Sequence, residues 1–159
     1  MTQDTAALHE RFEVRRQIAA TPGAIFALLR DPAGHVRIDS SGMLQSSDGA
    51  SVGGVGDTFV VHMDRESLND YPLGKYDVTV IITRYEEDTA IEWTISGAIQ
   101  PPIRHLYGYR LAPSEVGTLV TSYYDWSEID EQYRDKGIFP VIPEAALRAT
   151  LGILARSVE

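Results

Sequence analysis

Alternating apolar and polar residues occupy most of the chain and predict a domain built largely from antiparallel β-strands. The longest such stretch is 104–127, where two alternating segments flank a short Pro-Ser-Glu-Val-Gly connection and predict a hairpin. Further alternating segments predict strands at 12–18, 43–47, 57–64, 75–85 and 90–96. We therefore expect a sheet of six to seven strands, all antiparallel to their neighbours.

Three helices are predicted around these strands. The Thr-Pro pair at 21–22 and the Asp-Pro pair at 31–32 each place a capping side chain before a proline at the first helical position, which predicts short helices over 22–30 and 32–38. A longer amphipathic helix is predicted over 143–158. Its apolar stripe consists of Leu147, Leu151, Leu154 and Val158, with Ile153 at the border. This order of elements predicts the α+β class.

Composition limits the functions that this chain can have. Its 159 residues, 43% of them hydrophobic, are enough for one domain over 1–159, in which we expect 1–10 to be flexible. Lys and Arg number 14 against 23 Asp and Glu, a formal charge of −9, so neither nucleic acid nor an anionic membrane is an expected partner. The absence of cysteine excludes disulfides and thiolate chemistry.

The termini and apolar segments predict a cytoplasmic protein. The first residues lack the basic region and apolar run of a signal peptide. No apolar stretch approaches the roughly 20 residues that a membrane-spanning helix needs, so membrane insertion is not expected.

Common catalytic and cofactor motifs do not occur. The glycine-rich segment 46–56 is followed by a predicted strand and lacks the Lys-Ser or Lys-Thr of a phosphate-binding loop, so we interpret it as a turn. The chain also lacks the G-x-S-x-G of serine hydrolases and the H-E-x-x-H of zinc proteases. The histidines, His9, His35, His62 and His105, have no close spacing. We expect no metal and no cofactor.

One face of the predicted sheet has the composition of a ligand pocket. In the hairpin this face carries both aromatic rings and hydroxyl groups, and a sealed core rarely holds so many polar groups because each needs a buried partner. The candidate ligand-binding residues on this face are Phe59, Val61, Met63, Val78, Val80, Ile91, Trp93, His105, Tyr107, Tyr109, Ser122, Tyr124 and Trp126, with Leu147 and Leu151 from the last helix. His62 has the opposite parity and is expected to face outward.

His105 is the candidate catalytic residue. It shares a strand face with Tyr107 and Tyr109, so it could act as a general base or acid on a polyketone while a tyrosine hydroxyl orients an enolate. The alternative is a histidine at the end of a strand, close to solvent.

Five segments carry a family resemblance: 20–42, 55–63, 85–93, 107–127 and 140–154. In these segments the chain resembles the START-like, Bet v 1-type (SRPBCC) superfamily, in its polyketide cyclase/dehydrase and lipid-transport branch. The resemblance implies a helix-grip fold, in which a curved antiparallel sheet wraps around the long C-terminal helix and leaves a pocket between them.

The resemblance also implies that His35 and Asp39 lie near the pocket mouth. They are four residues apart and share a face if the second helix extends that far. With this spacing the two side chains either pair with each other or make separate contacts, as a helix cap or at the surface.

Three functions remain open. The first is a carrier or sensor that binds a polyketide-, lipid- or flavonoid-like molecule in the pocket. The second is a polyketide aromatase/cyclase-like enzyme that uses His105 and the tyrosines. The third is a protein-interaction module of co-chaperone type, for which the acidic charge is the only support. The first is favoured because no motif commits the chain to a chemical step.

Overall fold

The alternating segments of the sequence form one curved sheet of seven antiparallel strands. The structure is a computed structural model that describes residues 10–66, 73–97 and 99–159. The strands are β1 (Arg11–Ile18), β2 (Leu44–Asp48), β3 (Thr58–Asp64), β4 (Lys75–Glu86), β5 (Ala90–Ser96), β6 (Leu106–Ser114) and β7 (Gly117–Asp125). Strands β2 to β7 pair in chain order, and β1 pairs with β7 at one edge. The α+β class and the helix-grip fold are confirmed.

Two short helices connect β1 to β2, as the capping signals predict. Helix α1 (Pro22–Leu29) begins after Thr21, whose hydroxyl accepts a hydrogen bond from the Ala24 amide at 3.2 Å. Helix α2 (Pro32–Ile38) begins after Asp31, whose carboxylate accepts one from the Ala33 amide at 3.1 Å. Both caps satisfy amide groups that a helix start leaves without an intrahelical partner.

The last helix lies against the concave face of the sheet. Helix α3 (Glu131–Arg134) is a single turn that lies outside the three helices predicted from the sequence. Asp130 caps it by accepting a hydrogen bond from the Gln132 amide. Helix α4 (Glu144–Val158) begins one residue later than predicted, because Pro143 is its extended N-cap. It buries Leu147, Leu151, Leu154 and Ala155, and it contacts β1, β7, α1 and α2.

The predicted hairpin is present, and its turn is tight. Ser114 pairs with Gly117, so Glu115 and Val116 alone form the turn between β6 and β7. Gly117 has φ +144°, and a Cβ atom there would lie 2.4 Å from the Ile18 carbonyl oxygen. Only glycine fits where the turn passes the end of β1.

A β-bulge in β4 changes which face its side chains point to. The register with β5 shifts between Ile82 and Arg84. Beyond the bulge, Tyr85 returns to the buried side, where its ring meets that of Phe26 edge to face at 5.3 Å.

Among the described residues, no helix is both long and apolar enough to cross a membrane.

The outer face of the sheet is polar. His62 lies on this face as predicted, with Nε2 2.6 Å from an Asp48 carboxylate oxygen and Nδ1 2.7 Å from one of Asp77.

Candidate functional site

A cavity of about 170 Å³ lies between α2, α4 and the concave face of β3 to β6. Its wall is largely apolar, with a few hydroxyl, imidazole and carboxylate groups. The lining residues are Leu29, His35, Ile38, Asp39, Ser40, Ser41, Met43, Leu44, Val61, Met63, Val78, Val80, Trp93, Ile95, Tyr107, Tyr109, Ile142, Ala146, Leu147 and Thr150. An apolar wall with a small number of polar groups is the usual composition of a small-molecule site.

Close packing of the two short helices positions His35. A Cβ atom on Gly34 would lie 2.0 Å from the Leu28 carbonyl oxygen, so only glycine lets α2 approach the end of α1 this closely. The neighbouring carbonyl of Leu29, in the last turn of α1, has no amide partner within its own helix. His35 Nε2 lies 2.7 Å from this carbonyl oxygen, which closes the end of the helix.

His35 is a buried, neutral histidine in the cavity wall. Burial lowers its pKa to about 4. Its ring meets Trp93 edge to face at 4.7 Å and Phe59 at 5.0 Å, so aromatic neighbours on the sheet fix its orientation. The imidazole is therefore uncharged near neutral pH and held in one position.

Trp93, Tyr107 and Tyr109 form an aromatic wall on the sheet side of the cavity. The Trp93 ring stacks on each tyrosine ring at a centroid distance of 5.9 Å. Burial raises the pKa of both tyrosines, so their hydroxyl groups stay protonated. Strand β7 lies beside β6 in the sheet, with Tyr124 paired to Tyr107 and Ser122 paired to Tyr109 on the same face. The wall thus offers a flat apolar surface whose two hydroxyl groups interact with Tyr124 and Ser122 on the neighbouring strand.

His105 is buried behind this wall and does not line the cavity. It is only 2% exposed, which contradicts the alternative of a histidine close to solvent. Its Nδ1 atom lies 2.7 Å from the Tyr124 hydroxyl, and its ring packs on Tyr107 and Phe139. Its Nε2 atom has no hydrogen-bond partner in the described part of the chain. Burial lowers its pKa to about 4.

The sequence from residue 9 to residue 159 matches the family model described as polyketide cyclase / dehydrase and lipid transport. The chain belongs to this family. No curated protein matches it in sequence.

Solved structures share the fold at low sequence identity. Protein CV1439 from Chromobacterium violaceum is 14% identical with a TM-score of 0.68, over 94% of this chain and 98% of that one. Ms6760 from Mycobacterium smegmatis is 15% identical with a TM-score of 0.64, over 95% and 92%. The Aha1 dimer from Colwellia psychrerythraea is 17% identical with a TM-score of 0.61, over 94% and 96%. At such identities the likeness shows the fold alone.

Within this family fold, the structure divides the predicted ligand-binding residues into two groups. Those that line the cavity are Val61, Met63, Val78, Val80, Trp93, Tyr107, Tyr109 and Leu147. Those that do not are Phe59, Ile91, His105, Ser122, Tyr124, Trp126 and Leu151, all of them buried. Most of the second group are covered by neighbours: Phe59 lies against His35, and Trp126 against Phe12 at 4.9 Å.

His35 and Asp39 both line the cavity, but they do not pair with each other. His35 bonds to the Leu29 carbonyl. The Asp39 carboxylate accepts from the Ser41 amide and hydroxyl, at 3.0 and 2.8 Å, and from the Leu44 amide at 3.2 Å. Asp39 therefore fixes the turn into β2, and the predicted alternative of a local cap describes it better than a His-Asp pair.

Several lining residues lie outside the predicted set. Ile95 follows the same period-two pattern as Trp93, and Ala146 and Thr150 flank Leu147 on α4, so the periodicity could have indicated these three. Four others lie in the segments that connect helices and strands, where no periodic pattern predicts the direction of a side chain: Ser40, Ser41, Met43 and Ile142. Ser40 also joins this part of the wall to α4, because its hydroxyl donates to the Ala146 carbonyl at 3.0 Å.

In the described segments, no group of three histidine, aspartate or glutamate side chains has the arrangement of a metal site. The polar groups that line the cavity are five hydroxyl groups, the His35 imidazole and the Asp39 carboxylate.

Proposed function

We propose that this protein binds a small hydrophobic or aromatic molecule in the cavity between α4 and the concave face of the sheet. The observation that carries the proposal is the wall itself: aliphatic side chains cover most of it, and Trp93, Tyr107 and Tyr109 add a flat aromatic surface with hydroxyl groups. A ligand that is apolar in its body and polar at one or two points fits such a wall.

The volume of the cavity sets the size of ligand that enters without rearrangement. Apolar cavities of about 150 Å³ hold one benzene-sized molecule, and this one measures about 170 Å³. A single aromatic ring therefore fits as the cavity stands. A larger polyketide, lipid or flavonoid needs the wall to yield, and Met43 and Met63 are the lining residues whose flexible side chains adapt best.

The arrangement favours binding over the cyclase-like alternative. A general acid or base must lie within hydrogen-bond reach of the reacting atom, directly or through one water. His105 is separated from the cavity by Tyr107 and Tyr124, and Asp39 is occupied by the turn into β2. His35 does line the cavity, but burial lowers its pKa to about 4, so its imidazole is a weak base that accepts a hydrogen bond more readily than a proton. The Aha1 structure supports the fold and gives no reason to prefer a co-chaperone role.

The proposal is tested by tryptophan fluorescence, because the chain has two tryptophans and only Trp93 lines the cavity. Trp126→Phe leaves Trp93 as the only tryptophan, and Trp93→Phe leaves Trp126. Nitrobenzene is a suitable probe, since it is one ring in size and quenches indole emission on contact. We expect saturable quenching in Trp126→Phe and only weak, collisional quenching in Trp93→Phe.

A cavity-filling variant is the matched control. Ala146 lines the cavity from α4, and Ala146→Phe should occupy the space and abolish saturable quenching of Trp93. Quenching that rises linearly with nitrobenzene concentration in every variant would contradict the proposal.

A further inference from the structure

We propose that His35 supplies a fixed hydrogen-bond acceptor inside the cavity, so that the preferred ligand is a neutral aromatic molecule carrying a hydroxyl or N–H group. This inference rests on the proposed function and adds to it the chemical class of the ligand. The argument depends on the tautomer of His35, on the freedom of its second nitrogen and on the charges near the cavity.

The tautomer follows from the bond to Leu29. A carbonyl oxygen can only accept a hydrogen bond, so the Nε2 atom of His35, 2.7 Å away, must carry the hydrogen. The Leu29 carbonyl needs a donor because it lies in the last turn of α1. A neutral imidazole with its hydrogen on Nε2 has a lone pair on Nδ1. His35 is therefore a donor toward α1 and an acceptor on its other side.

The acceptor nitrogen is available to a ligand. Within 10–66, 73–97 and 99–159, no protein group forms a hydrogen bond with His35 Nδ1. Unlike His105, His35 lines the cavity. The edge-to-face contacts with Trp93 and Phe59, at interplanar angles of 63° and 71°, keep the ring from turning this nitrogen away.

The wall selects a neutral donor over an anion. Among the described residues that line the cavity there is no lysine or arginine, and the carboxylate of Asp39 in the wall repels an anion. The buried Arg65 does not line the cavity; its guanidinium group lies 3.7 Å from the sulfur of the lining residue Met43. A carboxylate would also place its lone pairs against that of His35 Nδ1. A phenol or an indole-like N–H instead donates to Nδ1 while its ring lies against Trp93, Tyr107 and Tyr109.

The test compares phenol, toluene and benzoate, which have similar size and differ in the group that meets His35. Affinities are measured by calorimetric or NMR titration on the wild type and on His35→Phe, which keeps an aromatic ring and removes the acceptor. The quantity of interest is the ratio of phenol to toluene affinity. We expect His35→Phe to lower this ratio about two- to tenfold, the range of one hydrogen bond. Benzoate should bind more weakly than phenol.

His105→Phe is the matched control, because it removes another buried neutral histidine that does not line the cavity. It should leave the phenol to toluene ratio unchanged. An unchanged ratio in His35→Phe would overturn the acceptor role while leaving the cavity a binding site. Failure of both phenol and toluene to bind the wild type would overturn the proposed function and the inference together.

A measurement on the wild type covers the case in which His35→Phe does not fold. Long-range 1H–15N spectra assign the hydrogen of each imidazole to one nitrogen. We expect His35 to carry it on Nε2, and we expect the Nδ1 resonance to shift on titration with phenol more than with toluene. A hydrogen found on Nδ1, or an equal response to both compounds, would overturn the inference.

Discussion

The concave face of the sheet has two halves. In both, every second side chain points inward, but the two halves differ in what covers those side chains. Strands β3 to β6 point side chains such as Val80 and Trp93 into the cavity. At the β1 and β7 edge, side chains such as Val14 and Val120 are buried under α4, which contacts both strands. The difference shows that an inward-facing residue becomes a cavity wall only where the helix does not reach it.

The polar groups of the two halves follow the same division. In the covered half, the Tyr124 hydroxyl and His105 Nδ1 satisfy each other at 2.7 Å. In the open half, His35 and the hydroxyl groups of Tyr107 and Tyr109 belong to side chains that line the cavity. The comparison predicts that substitutions in the covered half lower stability, whereas those in the open half change binding.

The largest expected effect separates two leucines one turn apart on α4. Leu151 is 1% exposed and packs in the covered half, whereas Leu147 is 7% exposed and lines the cavity. Leu151→Ala should lower the free energy of unfolding by about 2–5 kcal/mol, the usual cost of a new core cavity. Leu147→Ala should cost less, because atoms that face a void lose fewer contacts.

Leu151→Asp extends this test, because it adds an uncompensated buried charge and should be at least as destabilising as Leu151→Ala. Urea denaturation of the variants measures the differences. Equal losses for Leu147→Ala and Leu151→Ala would contradict the division of the face into two halves.

The pH dependence of stability depends on the buried histidines of both halves. Burial lowers the pKa of His35 and of His105 to about 4, whereas an unfolded histidine titrates near pH 6.5. Between these values the unfolded chain binds more protons, so stability is complete above about pH 6.5 and is lost as the pH falls toward about 4. Each histidine should contribute on the order of 3 kcal/mol to this loss.

His62 on the outer face should change the stability with pH in the opposite direction to His35 and His105. Hydrogen bonds to Asp48 and Asp77 raise the pKa of His62. Its contribution is therefore present below the unfolded pKa and is lost as the pH rises through the folded value. Denaturation across this pH range should show a shallower acid loss in His105→Phe than in the wild type, and no such flattening in His62→Gln. A wild-type profile that is level between pH 6.5 and 4 would contradict the assignment.

The smallest expected effect compares Tyr124, which does not line the cavity, with Tyr109, which is part of the aromatic wall. Tyr124→Phe removes the hydrogen-bond partner of His105 Nδ1, and His105 Nε2 already has none among the described residues. The variant should lose about 1–3 kcal/mol, the cost of a buried polar group without a partner. Tyr109→Phe is the matched control, because it removes a hydroxyl group that interacts with Ser122 at the cavity wall and leaves no histidine nitrogen without a partner. Its loss of stability should be the smaller of the two, and the reverse order would contradict the comparison.

Local chemistry in the sequence was enough to predict the seven strands and every described helix except the single turn of α3. Thr21 and Asp31 cap the two short helices because their side chains satisfy the first amides, whatever the rest of the chain does. The period-two pattern of the hairpin and the stripe on α4 likewise depend only on backbone geometry. These patterns, with the family resemblance they carry, predicted the helix-grip fold and placed Trp93, Tyr107 and Tyr109 on its inner face.

The composition of the cavity wall was decided by tertiary packing. Parity gives Tyr107 and Tyr124 the same face, but only the path of α4 and of the segment before it leaves one beside the cavity and buries the other. His35 lies on a helix, so the period-two pattern of the strands does not predict whether it faces the sheet. It reaches the wall because Gly34 lets α2 approach α1 and because the Leu29 carbonyl requires a donor. A sequence pattern fixes the direction of a side chain relative to its own backbone, whereas a cavity depends on the distance between elements far apart in the chain.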